Sequence, residues 1–167
     1  MSEIEIRAYD PSDQAACREL WVELTEWHRQ IYSSPGIGGD DPGAQFDEHL
    51  AAVGPELIWV ASSQGRVIGL TGLILRGTEA EIEPVVVAAS HRRRGIGAAL
   101  MERVIGEAAL RGVSLLSVRP VGRNRDALAF FRDSGFDIVG HVELFMDMKG
   151  GRDWARGDPL GGLDTRH

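Results

Sequence analysis

Residues Val85 to Gly112 run from a β-branched strand through a basic turn with two glycines into an amphipathic helix, and the turn reads Arg92-Arg93-Arg94-Gly95-Ile96-Gly97-Ala98. Such a unit constrains fold and ligand together. The start of a helix offers backbone N–H groups without intrahelical acceptors and the positive end of the helix dipole, so phosphates settle there. Glycine at positions 95 and 97 removes the Cβ that would hold an anion off the backbone, and the guanidiniums add charge-assisted, often bidentate hydrogen bonds. Three adjacent arginines at one helix mouth repel one another unless an anion joins them.

Spacing narrows the anion. A nucleotide-triphosphate loop needs a Lys-Ser/Thr pair after a four-residue gap between glycines, and a dinucleotide turn needs a third glycine where Leu100 stands. Upstream, Glu81-Ile82-Glu83-Pro84-Val85-Val86-Val87 reads as a buried strand that carries two carboxylates and a proline. Proline cannot donate to a strand ladder, so a bulge or splay is expected near Pro84. Downstream stand Asn124, Ala127, Phe130, Phe131, Gly135 and Phe136.

Taken together these segments resemble the GNAT superfamily of N-acetyltransferases. Arg92, Gly95 and Gly97 meet its acyl-CoA pyrophosphate-loop pattern, Arg/Gln-x-x-Gly-x-Gly/Ala, and the downstream residues match Asn-x-x-Ala-x-x-Phe-Tyr-x-x-x-Gly-Phe with Phe131 in place of the usual tyrosine. The resemblance covers residues 57–148 and is strongest over 82–136. It implies an α/β fold with a mixed, splayed central sheet and acetyl-CoA as co-substrate. It further implies that the pantetheine arm lies along the strand segment Val85, Val86 and Val87, and that Arg92, Arg93, Arg94, Gly95, Ile96, Gly97 and Ala98 hold the pyrophosphate. Asn124 and Phe131 complete the implied cofactor contacts.

Acetyl transfer to an amine requires a base, because an alkylamine with a pKa near ~10 arrives protonated. Glu81 and Glu83, two apart on a strand, are expected to share a face with Val85 and Val87. By resemblance either position can hold the catalytic glutamate; Glu83, nearer the thioester, is the first candidate and Glu81 the fallback. Phe131 has no proton to give the leaving thiolate. A thiol pKa of about 8.5 makes that thiolate a tolerable leaving group, with water as the proton source.

The rest of the chain sets limits. Its 167 residues suit one domain, expected over residues 1–149, followed by a glycine-rich tail, 150–167, expected to be disordered. With no run of about 18 apolar residues and no leader pattern, the reading is a soluble, cytoplasmic protein. A net charge of −7 with the basic residues concentrated in one loop argues against nucleic acid, and no membrane partner is expected. Five scattered histidines and one cysteine, Cys17, give no metal-ligand spacing; no metal is expected, and Cys17 reads as core. A homodimer is an open expectation.

Periodicity predicts the order β-α-α-β-β-β-α-β-α-β, ending in one bent strand or two short ones over Asp137–Met148. The first two helices and their connection wall the acceptor side in this fold, so Trp27, His28, Tyr32 and the loop to Phe46 are candidates by position. Asp40, Asp41, Asp47 and Glu48 would suit a cationic amine, and Arg119 an acceptor carboxylate. The function expected is transfer of acetyl from acetyl-CoA to a primary amine, with a small-molecule acceptor favoured. The alternatives are a protein N-terminal or lysine acetyltransferase and a non-catalytic acyl-CoA-binding module.

Overall fold

In the computed structural model, residues 3–143 are described together with Met146, Met148 and Gly150. Ile4–Ala8 forms β1, and a capping box built on Asp10 and Asp13 then opens the chain into α1, Gln14–Tyr32. Asp13 accepts both terminal nitrogens of Arg7, at 2.7 and 2.8 Å, which holds its carboxyl below the usual range. After the loop comes α2, Ala44–Val53. The meander β2 (Ile58–Ser63), β3 (Arg66–Arg76) and β4 (Glu79–Val87) follows, then α3 (Ile96–Leu110), β5 (Leu115–Ser117) and α4 (Arg125–Asp133). Gln64 and Gly65, with φ of 52° and 75°, supply the positive φ pair that a tight β2–β3 hairpin requires.

The five strands form one mixed sheet in the order β1-β2-β3-β4-β5, antiparallel throughout except for the parallel β4–β5 pair. Strand alternation sends Ile58, Val60, Leu70 and Val86 to one face, where they pack with Cys17, Leu20 and Trp21 of α1 and Phe46 of α2. Trp59, Leu73, Ala80 and Ile82 go to the other, against Met101, Val104 and Ala108 of α3. The mixed α/β class and the splay are as expected. No helix among the described residues is long and apolar enough to cross a membrane.

The chain end differs from the expectation. Residues 137–143 form no strand, and Ile138 and Val139 are exposed. These two neighbours point to opposite sides of any strand and so build no single apolar face, and β5 is only three residues long. Positions 144, 145 and 147 of the expected strand, and 151–167 of the expected tail, lie outside the described residues.

Candidate active site

The segment before α3 forms the glycine-containing turn into a helix that its sequence implies. Ala89–His91 forms one 3-10 turn, Arg93 and Gly95 take left-handed φ of 63° and 79°, and α3 starts at Ile96. The first intrahelical bond runs from Ala99 N–H to the Gly95 carbonyl, so the N–H groups of Ile96, Gly97 and Ala98 have no intrahelical acceptor. Ile96 itself is buried with Ala61, Ile68 and Leu100, and this apolar anchor fixes where the helix begins. Its contribution to a ligand is therefore its backbone.

The three arginines divide. Arg92 Nε donates to the Val87 carbonyl at 3.0 Å; its guanidinium lies 3.5 Å from Glu23 and 5.8 Å over the Trp27 ring, so it braces the loop against α1. Glu23 also accepts the Ala89 N–H. Arg93 and Arg94 are exposed and make no ion pair among the described residues. Orphan N–H groups, two unpaired guanidiniums and glycine at 95 and 97 fit a pyrophosphate.

The β4 irregularity sits at the proline. Register runs Val85↔Thr71 on one side and Ile82↔Leu73 on the other, so Glu83 and Pro84 together oppose Gly72 as a one-residue bulge. The bulge also corrects the face on which the carboxylates were expected. Val85 and Val87 pack toward α3, as do Ala80 and Ile82, so Glu81 and Glu83 alternate onto the α1–α2 face. Inserting one residue inverts the parity that counting by twos assumes. On its outer edge β4 pairs with β5 only at Glu79–Glu81, leaving Ile82–Val87 with no strand partner there among the described residues. An extended arm has room to add to this edge at Val85, Val86 and Val87.

The two glutamates differ sharply. Glu81 is 4% exposed and lies between Arg76, 3.5 Å from one oxygen, and Arg119, 3.4 Å from the other. Glu83 is exposed at the bulge and in no ion pair among the described residues. Desolvation of its carboxyl raises the pKa above the ordinary glutamate range, the Glu81 charge raises it further, and Arg119 and Arg76 oppose the shift.

Asn124 caps α4, its side-chain oxygen accepting the Ala127 N–H at 3.1 Å, so it orders the helix that carries Phe131. Phe131 lies between Phe130 and Phe136, with ring centroids at 5.3 and 6.1 Å. On the acceptor side, Trp27 is taken up by Arg92, and Tyr32 lies under Arg123 at 5.2 Å. Phe46 is fully buried core, and burial lowers the His28 pKa. Asp41 and Asp47 are both paired with Arg18, and Arg119 serves Glu81. Burial pushes the Cys17 thiol up to about 12, which makes it inert.

Sequence reading missed His49 and Gly72. A glycine inside a strand opposite a proline is a signal for close backbone approach. A lone histidine in a short helix carries none.

The family model described as Acetyltransferase (GNAT) family matches residues 21–136. Among solved structures, the chain is similar to a GNAT acetyltransferase of Staphylococcus aureus Mu50 at 17% identity, covering 85% of this chain and 89% of that one with a TM-score of 0.70. It is similar to a ribosomal-protein-alanine N-acetyltransferase from Brucella melitensis at 23% identity, with coverage of 81% and 86% and a TM-score of 0.66. A third is the aminoglycoside N-acetyltransferase AAC(6')-Iy in complex with CoA, at 19% identity, 89% and 97% coverage and a TM-score of 0.63. No curated protein matches the sequence. With a loop at the mouth of α3 whose geometry suits an anion, an open strand edge at Val85–Val87 and a family match over well over half its length, the chain belongs to the GNAT family of acetyltransferases.

Proposed function

We propose that the protein moves the acetyl group of acetyl-CoA directly to a primary amine of a small molecule, in a ternary complex, with Glu83 as general base and residues 1–149 as the working domain. The observation that carries the assignment is the division between two carboxylates two residues apart. Glu81 is buried and held between two arginines, whereas Glu83 stands at the bulge beside the open edge, unpaired and raised in pKa. A base whose pKa lies closer to neutrality is better matched to deprotonating an ammonium group.

The backbone of Val85 and Val87, the loop Arg92–Ala98 and the aromatic surface at Phe131 would hold the acetyl-CoA, which supplies the thioester. A backbone N–H freed at the bulge would stabilise charge developing on the carbonyl oxygen. The thiolate leaves without a tyrosine; water takes that role.

A small acceptor is favoured by how firmly the acceptor side is walled. Arg29 donates to the carbonyls of Ile37 and Gly39, both at 2.7 Å, which ties the α1–α2 loop down. The Tyr32–Arg123 stack links the end of α1 to the segment before α4. The structural neighbours span both acceptor classes: AAC(6')-Iy carries a bisubstrate analogue, CoA-S-monomethyl-acetylneamine, and the Brucella protein is named for a ribosomal-protein alanine.

Thiol release from acetyl-CoA, measured across aminoglycosides, polyamines and alanine-start peptides, tests the reading. Turnover is expected with the small amines, and Glu83→Gln should lower it by roughly 10²–10⁴-fold with acetyl-CoA affinity kept. Turnover with peptides alone would overturn the acceptor class. Tight acetyl-CoA binding with no thiol release across the panel would favour a binding module.

A further inference from the structure

We infer that His49 is a positioning residue for Glu83, its imidazole Nε2–H donating to the Glu83 main-chain carbonyl and holding the β4 bulge that carries the base. The inference rests on the assignment of Glu83 above. Three observations support it.

First, the ring is held from behind. His49 lies against the Trp21 indole, with ring centroids 5.2 Å apart, and Trp21 is itself fixed by donating its indole N–H to Gln45 at 3.1 Å. Second, His49 Nε2 is buried and has no hydrogen-bond partner among the described residues. A buried nitrogen left unpaired is costly and calls for a partner close by. Third, that nitrogen lies close to the bulge. A Cβ placed on Gly72 would lie 3.0 Å from His49 Nε2 and 2.6 Å from the Glu83 carbonyl oxygen, so both atoms border a space that any side chain at 72 would fill. Burial lowers the imidazole pKa and the Glu83 carbonyl raises it again, as a carbonyl facing a ring N–H does.

A bulge places two residues against one and interrupts the ladder, so a hydrogen bond from outside the sheet would help to hold the segment that carries Glu83. The His49 ring on α2 is placed to supply it. The loop before α3, on a different element, is not part of this contact.

Nitrogen-15 NMR of the full-length protein at pH 7.5 provides the first test: His49 is expected as the neutral tautomer protonated at Nε2, and a proton on Nδ1 instead overturns the inference. Hydrogen exchange at the Gly72 and Val85 amides is expected to be at least about tenfold faster in His49→Leu and restored in His49→Gln, which keeps an N–H near Nε2, while α3 amides stay unchanged. Equal rates in all three proteins overturn it, and if His49→Leu does not fold, the tautomer and His49→Gln still decide. With the amine used to assay Glu83, His49→Leu should cost roughly 10–10²-fold in kcat with KM for acetyl-CoA unchanged. It should add nothing to Glu83→Gln, and an additive loss in the double variant overturns the inference. Should Glu83→Gln alone stay fully active, the base assignment fails, while the exchange data still report whether His49 holds the bulge.

Discussion

Gly97 in the first turn of α3 and Phe130 in α4 share one space: a Cβ on Gly97 would lie 3.3 Å from both Cε2 and Cζ of the phenyl ring. Gly97 thus leaves room for α4 to dock against the first turn of α3. Gly97→Val should lower acetyl-CoA affinity and cost about 1–3 kcal/mol of stability through overpacking. Adding Phe130→Leu should return part of the stability and none of the affinity. Calorimetry and thermal melts on the single and double variants check this, and unchanged affinity in a folded Gly97→Val would remove the loop from the cofactor site.

Much of the fold was legible because its signals were local. The Asp10–Asp13 cap, the Gln64–Gly65 hairpin and the Arg92–Ala98 turn each specify geometry within a few residues. Pro84 announced the bulge, since a residue without an N–H cannot donate to a ladder and is confined to edges and bulges. The bulge's consequence was not legible. Which face Glu81 and Glu83 occupy depends on one inserted residue, and counting by twos gives the wrong parity across it. Nor does sequence separate an acid that faces substrate from one that faces arginine: Asp41 and Asp47 pair with Arg18 across more than twenty residues, and Glu81 with Arg119 across nearly forty. Such pairings are set by tertiary packing.

Stability and function should oppose each other at Glu83. Its folded-state pKa is raised above the ordinary 4.5, so its contribution is fully favourable below that value and is lost as pH rises through the folded pKa. At neutral pH the ionised side chain is a burden on the fold that Gln does not carry. The melting temperature of Glu83→Gln relative to wild type should therefore be more favourable at pH 7 than at pH 4, alongside the loss of turnover. A difference independent of pH would mean that Glu83 titrates normally.

His28 and His49 act in another window. Burial lowers both from the usual 6.5, so their stabilising contribution is present above that value and is lost as pH falls below it. Urea midpoints of the wild-type protein should fall between pH 7.5 and 5.5, and less steeply in His28→Asn or His49→Gln. Asp13, lowered by Arg7, gives up its contribution only as pH falls below about 3.8, which keeps the two effects apart. Identical slopes in wild type and both variants would show that neither imidazole is held neutral.

The charges around Glu83 offer the sharpest test of its role. Glu81 raises the Glu83 pKa, and Arg119 lowers it while also pairing with Glu81 at 3.4 Å. If Glu83 must be ionised to accept the amine proton, the acid limb of the kcat–pH profile reports its pKa in the ternary complex. Glu81→Gln removes the neighbouring negative charge and leaves both arginines to act on Glu83 alone, so the limb should move to lower pH. Arg119→Gln removes a positive charge and should move it to higher pH. Glu81→Gln should keep most of its maximal turnover, because the carboxylate it replaces is buried and held by two arginines. If Glu81→Gln abolishes turnover while Glu83→Gln does not, the base is Glu81. If both charge variants leave the limb where it is, the group titrating there is neither glutamate, and opposite shifts of the predicted sign place the proton on Glu83.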